Sequence, residues 1–227
     1  MFEQQPPQLR QKVKRLASEA IAASTPSAWF ETLYAEAEGD TQNVPWARLT
    51  PYPAVGDWLE THNPSGEGKT ALVIGCGLGD DAEALSQRGF QVTAFDISPT
   101  AIAWCQQRFP ESSVRYQVAD LLNLDPAWHR AFDFVLEVRN IQALPLNIRT
   151  AVVAAIVPLL APGGTLLIVT RFRDTEDEPD GPPWALSEVE LSQFQQQGLR
   201  ERDRYIFFEG ETNPVKHLRL EYQNLSS

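Results

Sequence analysis

Cysteine, methionine and histidine are scarce in this chain, with two, one and three among 227 residues. Two cysteines, Cys76 and Cys105, cannot build a disulfide framework, and no Cys/His spacing points to zinc, so no metal is expected. Positive charge is short as well: 19 Lys and Arg stand against 30 Asp and Glu, a net −11. Nucleic acids and anionic membranes attract basic surfaces, so neither is expected as a partner. Long apolar runs are missing too. None reaches the ~18–20 residues of a membrane span, and no signal peptide is evident, so a reducing cytoplasm is the expected location. The remaining composition, 43% apolar and 22% charged, is that of an ordinary globular protein. These absences exclude classes and name no function.

The chain changes character near Thr70. Before it, Met1 to Gln8 carries two prolines and reads as a disordered tail. Leu9, Val13, Leu16 and Ala20 then recur at helical spacing through a helix expected over Arg10 to Ala23. Ser27 is positioned to cap a second, aromatic helix carrying Trp29, Phe30, Leu33 and Tyr34. Asn43 to Pro53, with three prolines, reads as an extended connection. After Thr70, short apolar runs alternate with helical segments. Strands are expected at Ala71–Ile74, Gln91–Phe95, Val114–Val118, Phe132–Val138 and Thr165–Thr170. Helices are expected at Asp80–Gln87, Thr100–Phe109, Arg149–Leu160 and Ser187–Gln196, with Pro162-Gly163-Gly164 closing the third. Arg204–Phe208 and Lys216–Tyr222 read as an antiparallel hairpin at the sheet edge. This alternation means an α/β, doubly wound sheet, seven-stranded and mostly parallel, with helices on both faces and an N-terminal helical cap.

Gly75-Cys76-Gly77-Leu78-Gly79 places a glycine turn directly after a strand and before a helix. Glycines there let the backbone approach a ligand, and the helix start offers free N–H groups. The spacing differs from the G-x-G-x-x-G of nicotinamide enzymes, which tells against a dehydrogenase. Asp96 ends the second strand, where a carboxylate can accept both ribose hydroxyls. Ala119-Asp120-Leu121 follows the third strand, where a carboxylate and an adjacent N–H can read an adenine edge. Three such signals at consecutive strand ends point to nucleoside binding.

The segments GCGLGDDA, AFDIS, VADLL and APGG resemble the class I S-adenosylmethionine-dependent methyltransferases, a Rossmann-like family. The finer resemblance is to the branch holding thiopurine methyltransferases and plant-type halide/thiol methyltransferases. Val73 stands where most methyltransferases carry an acid, and Gly79-Asp80-Asp81 supplies the branch's G-x-D. Trp29, Tyr34 and Pro45-Trp46 resemble its N-terminal cap, and Gly181-Pro182-Pro183 its segment after strand five. The chain departs from the branch at Ile74, where Pro is usual, and at Glu137-Val138-Arg139-Asn140. The resemblance implies one methyltransferase domain over 1–227: the tail at 1–8, a cap at 9–69 and a cofactor-binding core at 70–227.

It also implies S-adenosylmethionine as cofactor. Gly75 and Gly77 would lie under its methionine part, with Asp96 on the ribose and Asp120 and Leu121 at the adenine; Cys76, a small packing residue in the turn, Gly79, Ile97 and Ser98 complete the implied cofactor-binding set. Trp29 and Trp46 would cover it, and their faces suit a sulfonium cation; the alternative is that they anchor the cap to the core. Tyr34 and Glu137 are the candidate catalytic side chains. Glu137 either contacts the methionine amino group or assists the acceptor as a base, or else pairs with Arg139 or Arg171 as a strand-end carboxylate. Arg139, Asn140, Arg171 and Arg173 either orient an anionic acceptor or lie in solvent. The acidic run 174–180 reads as a solvated loop, or as a flap over the site. The implied partner is a small-molecule methyl acceptor taken up by a monomer. A thiol or other soft nucleophile comes first, because a thiolate reacts without a dedicated base. An O- or N-methyltransferase, and a non-catalytic nucleoside-binding module, are the alternatives.

Overall fold

A computed structural model describes residues 5–226. Helix α1, Pro7–Ala22, buries Leu9, Val13, Leu16, Ala17 and Ala20 along one face. The tail expected over 1–8 is corrected here, because Pro7 and Gln8 form the first turn of α1. Proline's fixed φ and missing N–H suit a helix start, and Arg10 N donates to Pro6 O at 3.1 Å. Residues 1–4 of that tail lie outside the described residues. Helix α2, Ala28–Glu36, follows Ser27, whose side chain makes no capping bond. The connection expected over Asn43 to Pro53 holds a 3-10 turn at Thr41–Asn43 and ends where helix α3, Pro53–His62, begins. That helix is absent from the sequence reading. Its prolines read as breakers, yet Pro53 is a helix-starting residue, and Val55, Trp58 and Leu59 bury its inner face.

The core alternates β1 (Thr70–Ile74), α4 (Asp80–Gln87), β2 (Gln91–Asp96), α5 (Pro99–Arg108), β3 (Arg115–Val118), β4 (Phe132–Val138), α6 (Arg149–Ile156), β5 (Leu160–Arg171) and α7 (Glu188–Gln196), closed by the hairpin β6 (Leu199–Glu209) and β7 (Val215–Asn224). The sheet order is β3-β2-β1-β4-β5-β7-β6. The first five strands run parallel, and β7 pairs antiparallel with both β5 and β6. Strand β5 starts earlier than expected. Pro162-Gly163-Gly164 sits inside it as an irregularity, where the register passes from Phe132↔Leu160 to Phe134↔Thr165. Proline and glycine are tolerated in a strand at such bulges.

Side-chain alternation splits the core between two faces. Val73, Leu136, Leu167 and Val169 pack with Val55, Trp58 and Leu59 of α3 and Ala82 and Leu85 of α4. Leu72, Ile74, Val135 and Ile168 pack with Val152 and Ile156 of α6 and with Leu191 and Phe194 of α7. Helices α1 and α2 join Leu78, Ala101 and Val44 in a third cluster over the carboxyl ends of the strands, the edge where open α/β sheets bind ligands. No helix among the described residues is long and apolar enough to cross a membrane.

Candidate active site

The glycine turn continues the sheet before it departs from it. Cys76 N donates to Phe95 O at 2.8 Å, extending the β1–β2 ladder by one bond, and Gly79 N closes the turn on Cys76 O at 3.0 Å. Gly75 has φ +55°, and a Cβ there would stand 2.1 Å from Asn140 Oδ1. Asn140 is what fills that space: its Nδ2 donates to Ile74 O at 2.7 Å and to Val138 O at 3.2 Å, tying the end of β1 to the turn after β4. At Gly77, φ is +54° and a Cβ would meet Tyr34 Oη at 3.2 Å.

Asp96 joins this turn to the start of α5. Its carboxylate accepts Gly77 N at 3.0 Å and Ser98 N at 2.9 Å. Burial pushes its pKa up to about 6, against the N–H bonds that favour the charged form. Ser98 caps α5 through Ala101 N and donates to Glu31 Oε2 at 2.5 Å. Glu31 also accepts from Thr100 N and Oγ1. This carboxylate on α2 locks the cap onto α5, and no signal in the sequence marked it.

One cavity opens over these residues. Trp29, Phe30, Tyr34 and Trp46 line one side, Gly75, Cys76, Gly77 and Asp96 the floor, and Arg48, Tyr52, Val138, Arg139, Asn140, Gln142, Pro182 and Pro183 the other side. Trp46 Nε1 donates to Tyr34 Oη at 2.6 Å, and the Trp46 ring meets those of Trp29 and Tyr34 edge-on at 5.8 Å. Burial, then the Asp96 charge, pushes the Tyr34 phenol well above its ordinary value. It is therefore a neutral hydrogen-bonding group. The neighbouring Cys105 thiol and burial likewise push Cys76 up, and Cys105 Sγ is 3.2 Å from Gly77 O.

Of the residues expected at the cofactor, Trp29, Trp46, Gly75, Cys76, Gly77 and Asp96 line this cavity, whereas Gly79, Ile97, Ser98, Asp120, Leu121 and Glu137 do not. Gly79 is buried at the start of α4. Asp120 is exposed on the next strand end; Ala119 N donates to Asp96 O at 3.1 Å, so Asp120 begins one residue beyond that bond.

Glu137, expected as a catalytic or cofactor-binding group, does not line the cavity. Strand alternation puts it on the α6/α7 face with Val135, opposite Leu136 and Val138. There its Oε1 accepts Asn140 N at 2.5 Å and Ile141 N at 3.0 Å, capping the turn that follows β4. Burial pushes its pKa up to about 7. Glu137 therefore shapes the cavity wall from behind. Arg173, expected near the acceptor, instead pairs with Glu190 at 2.7 Å. Acidic-loop residues are tethered at two points, Asp174 to Lys216 at 2.5 Å and Glu176 to Ser187 at 2.7 Å. Gln142, unmarked in the sequence, is buried in the wall; its Oε1 accepts Arg171 N at 2.6 Å and its backbone O accepts Trp184 N at 2.7 Å.

Residues 71–164 match the family model described as a methyltransferase domain. The chain is 34% identical over 108 residues to a ubiquinone biosynthesis O-methyltransferase of Xanthomonas campestris pv. campestris, covering 47% of this chain and 44% of the relative. It is 29% identical over 157 residues to probable thiol methyltransferase 2 of Arabidopsis thaliana, covering 67% and 65%. The chain thus spans under half the length of the first relative. Among solved structures, the N-methyltransferase NodS from Bradyrhizobium japonicum WM9, in complex with S-adenosyl-L-homocysteine, superposes with a TM-score of 0.68 at 21% identity, over 87% of this chain and 98% of that one. At that identity the likeness is one of fold.

Proposed function

We propose that the chain is a class I S-adenosylmethionine-dependent methyltransferase that methylates a small-molecule acceptor, in the first place a thiol or other soft nucleophile; the methyltransferase-domain match and the fold support this reading. The observation that carries the reading is the shared cavity, which joins a glycine cradle and a ribose-type carboxylate to an aromatic wall and a polar far side.

The residues fit S-adenosylmethionine. A side chain at Gly77 would crowd Tyr34 and touch Trp46 on the cavity wall, and Trp29 Nε1 is a buried donor without a partner among the described residues. Such a group is costly to leave unmet, so a ligand atom is its expected partner. S-adenosylmethionine, when bound, supplies a methyl carbon already activated by its sulfonium charge. The chain's own work is then alignment and exclusion of water. Asp96 takes the ribose hydroxyls, Asp120 and Leu121 meet the adenine at the next strand end, and Trp29, Tyr34 and Trp46 close over the cation with their π-faces.

No histidine or lysine lines the cavity, which favours an acceptor that ionises readily. A hydroxyl acceptor is the second reading, favoured by the tyrosine–arginine pair Tyr52 and Arg139 on the far wall. The net charge of −11 argues against nucleic acid as substrate. The two unpaired thiols suit a reducing compartment, and a monomer is the simplest assembly. Transfer of radiolabelled methyl to thiophenol, phenol and benzylamine tests the acceptor class. Label appearing first in thiophenol supports the proposal, and label confined to benzylamine, or to none, opposes it.

A further inference from the structure

Four side chains from separate parts of the chain meet at the far wall of the cavity: Tyr52 at the start of α3, Arg139 after β4, Glu209 at the end of β6 and His217 on β7. Tyr52 Oη donates to Glu209 Oε1 at 2.5 Å. Arg139 Nη1 donates to Tyr52 Oη at 2.9 Å and to Glu209 Oε2 at 3.1 Å. Arg139 holds φ +67°, a conformation side chains rarely adopt, which marks this turn as fixed by its partners. Tyr52 and Arg139 line the cavity, and Tyr52 N is anchored to Asp81 Oδ1 at 2.7 Å, beside the glycine turn.

Counting protons makes the cluster informative. Tyr52 has one hydroxyl proton, and Glu209 takes it. Its oxygen can therefore only accept from anything else that reaches it. His217 Nδ1 lies 2.8 Å from Val215 O; a carbonyl cannot donate, so Nδ1 carries the imidazole proton. That leaves Nε2 a bare acceptor, fully buried and without a partner, 3.7 Å from Glu209 Oε2. A buried imidazole nitrogen facing a carboxylate is satisfied only when one of the two holds a proton. The cluster is one proton short.

We propose that Tyr52 receives the proton of a thiol or hydroxyl acceptor and passes it to Glu209. This rests on the methyl-transfer reading above and names the acceptor's required group, an S–H or O–H. One lone pair of the acceptor atom makes the new bond to the methyl carbon, and the old carbon–sulfur pair stays on the sulfonium sulfur, which becomes neutral. The acceptor atom, now bonded to three groups if sulfur or oxygen, is a far stronger acid than a carboxylic acid. Its X–H bond breaks toward Tyr52 Oη while the Tyr52 proton moves to Glu209 Oε1. A half-turn of the protonated carboxyl group would then bring its hydroxyl to the side that faces His217 Nε2, 3.7 Å from Oε2. Arg139, Arg48 and His217 face Glu209 from their separate segments. Burial would push it up, but the Tyr52 bond and the charges of Arg139 and Arg48 outweigh that and hold it below its ordinary value, and so ionised before the reaction. Burial and the Arg139 charge push His217 down to about 4, keeping its imidazole neutral.

Binding is measured with the full chain saturated with S-adenosylhomocysteine, for phenol against anisole and phenylmethanethiol against its S-methyl thioether. The wild type is expected to prefer the X–H partner of each pair by about tenfold, the worth of one hydrogen bond. Y52F is expected to lose that preference. E209Q is expected to keep it while losing at least about tenfold in phenylmethanethiol turnover. Both variants should bind S-adenosylhomocysteine and melt cooperatively, and E209Q carries the test if Y52F does not fold. Equal binding of the paired probes by wild type, a preference that survives in Y52F, or E209Q turnover equal to wild type overturns the proposal. Failure of the wild type to bind S-adenosylhomocysteine overturns the methyl-transfer reading and this one with it.

Discussion

Asn140 occupies the space that a side chain on Gly75 would need, with its Oδ1 2.1 Å from the position of that Cβ. The pair joins the end of β1 to the turn after β4 and so sets the floor of the cavity. Gly75→Ala is expected to expel the Asn140 amide, break its bond to Ile74 O and abolish cofactor binding. The backbone conformation adds strain of roughly 1 kcal/mol or more. Calorimetric titration with S-adenosylhomocysteine beside a thermal melt checks this: lost binding with a modest fall in melting temperature is the expected pair of results.

Glu31→Ala removes the acceptor of three hydrogen bonds from Ser98 and Thr100. A loss of roughly 1–3 kcal/mol is expected, on the scale of a charged hydrogen-bond acceptor. Urea denaturation measures it. An unchanged midpoint would mean that the aromatic cluster alone holds α2 on α5.

Tyr34→Phe is expected to weaken cofactor binding about tenfold through loss of the bond with Trp46. The phenol is held neutral by burial, so the shape of the pH–rate profile stays as in wild type. A displaced limb would make Tyr34 a titrating group in catalysis.

The stability of the unliganded protein carries an unusual pH signature. Burial raises the pKa of Glu137 to about 7, and those of Asp81 and Asp96 to about 6, in the folded state. Between the unfolded values near 4 and these folded ones, the native state binds more protons than the unfolded chain, so these groups make stability fall as pH rises. Glu137→Gln removes one such penalty. Its stability relative to wild type is expected to increase from pH 5 to pH 8, by at most roughly 3 kcal/mol. Chemical denaturation at the two pH values checks the sign.

Legibility in the sequence followed physical locality. The strands β1, β2 and β4 and the helix α4 were legible because an apolar run or a helical face is written in adjacent residues. So was the glycine turn, whose chemistry is local. Helix α3 escaped because Pro53 reads as a breaker until its place at a helix start is known. The place of Glu137 is not legible because only the phase of β4 against its neighbours shows that it faces α6 and α7. Glu31, Gln142 and the Tyr52–Glu209 bond were illegible: each joins segments far apart in the chain, and Tyr52 and Glu209 are 157 residues apart.

The most direct measurement is calorimetric titration of the wild type and Asp96→Ala with S-adenosylhomocysteine and, separately, with NAD. Saturable binding of S-adenosylhomocysteine, no binding of NAD, and a loss of about a hundredfold or more in Asp96→Ala, the worth of two charge-assisted hydrogen bonds, are the predicted results. No heat with S-adenosylhomocysteine, a preference for NAD, or an Asp96→Ala affinity equal to wild type would contradict the account.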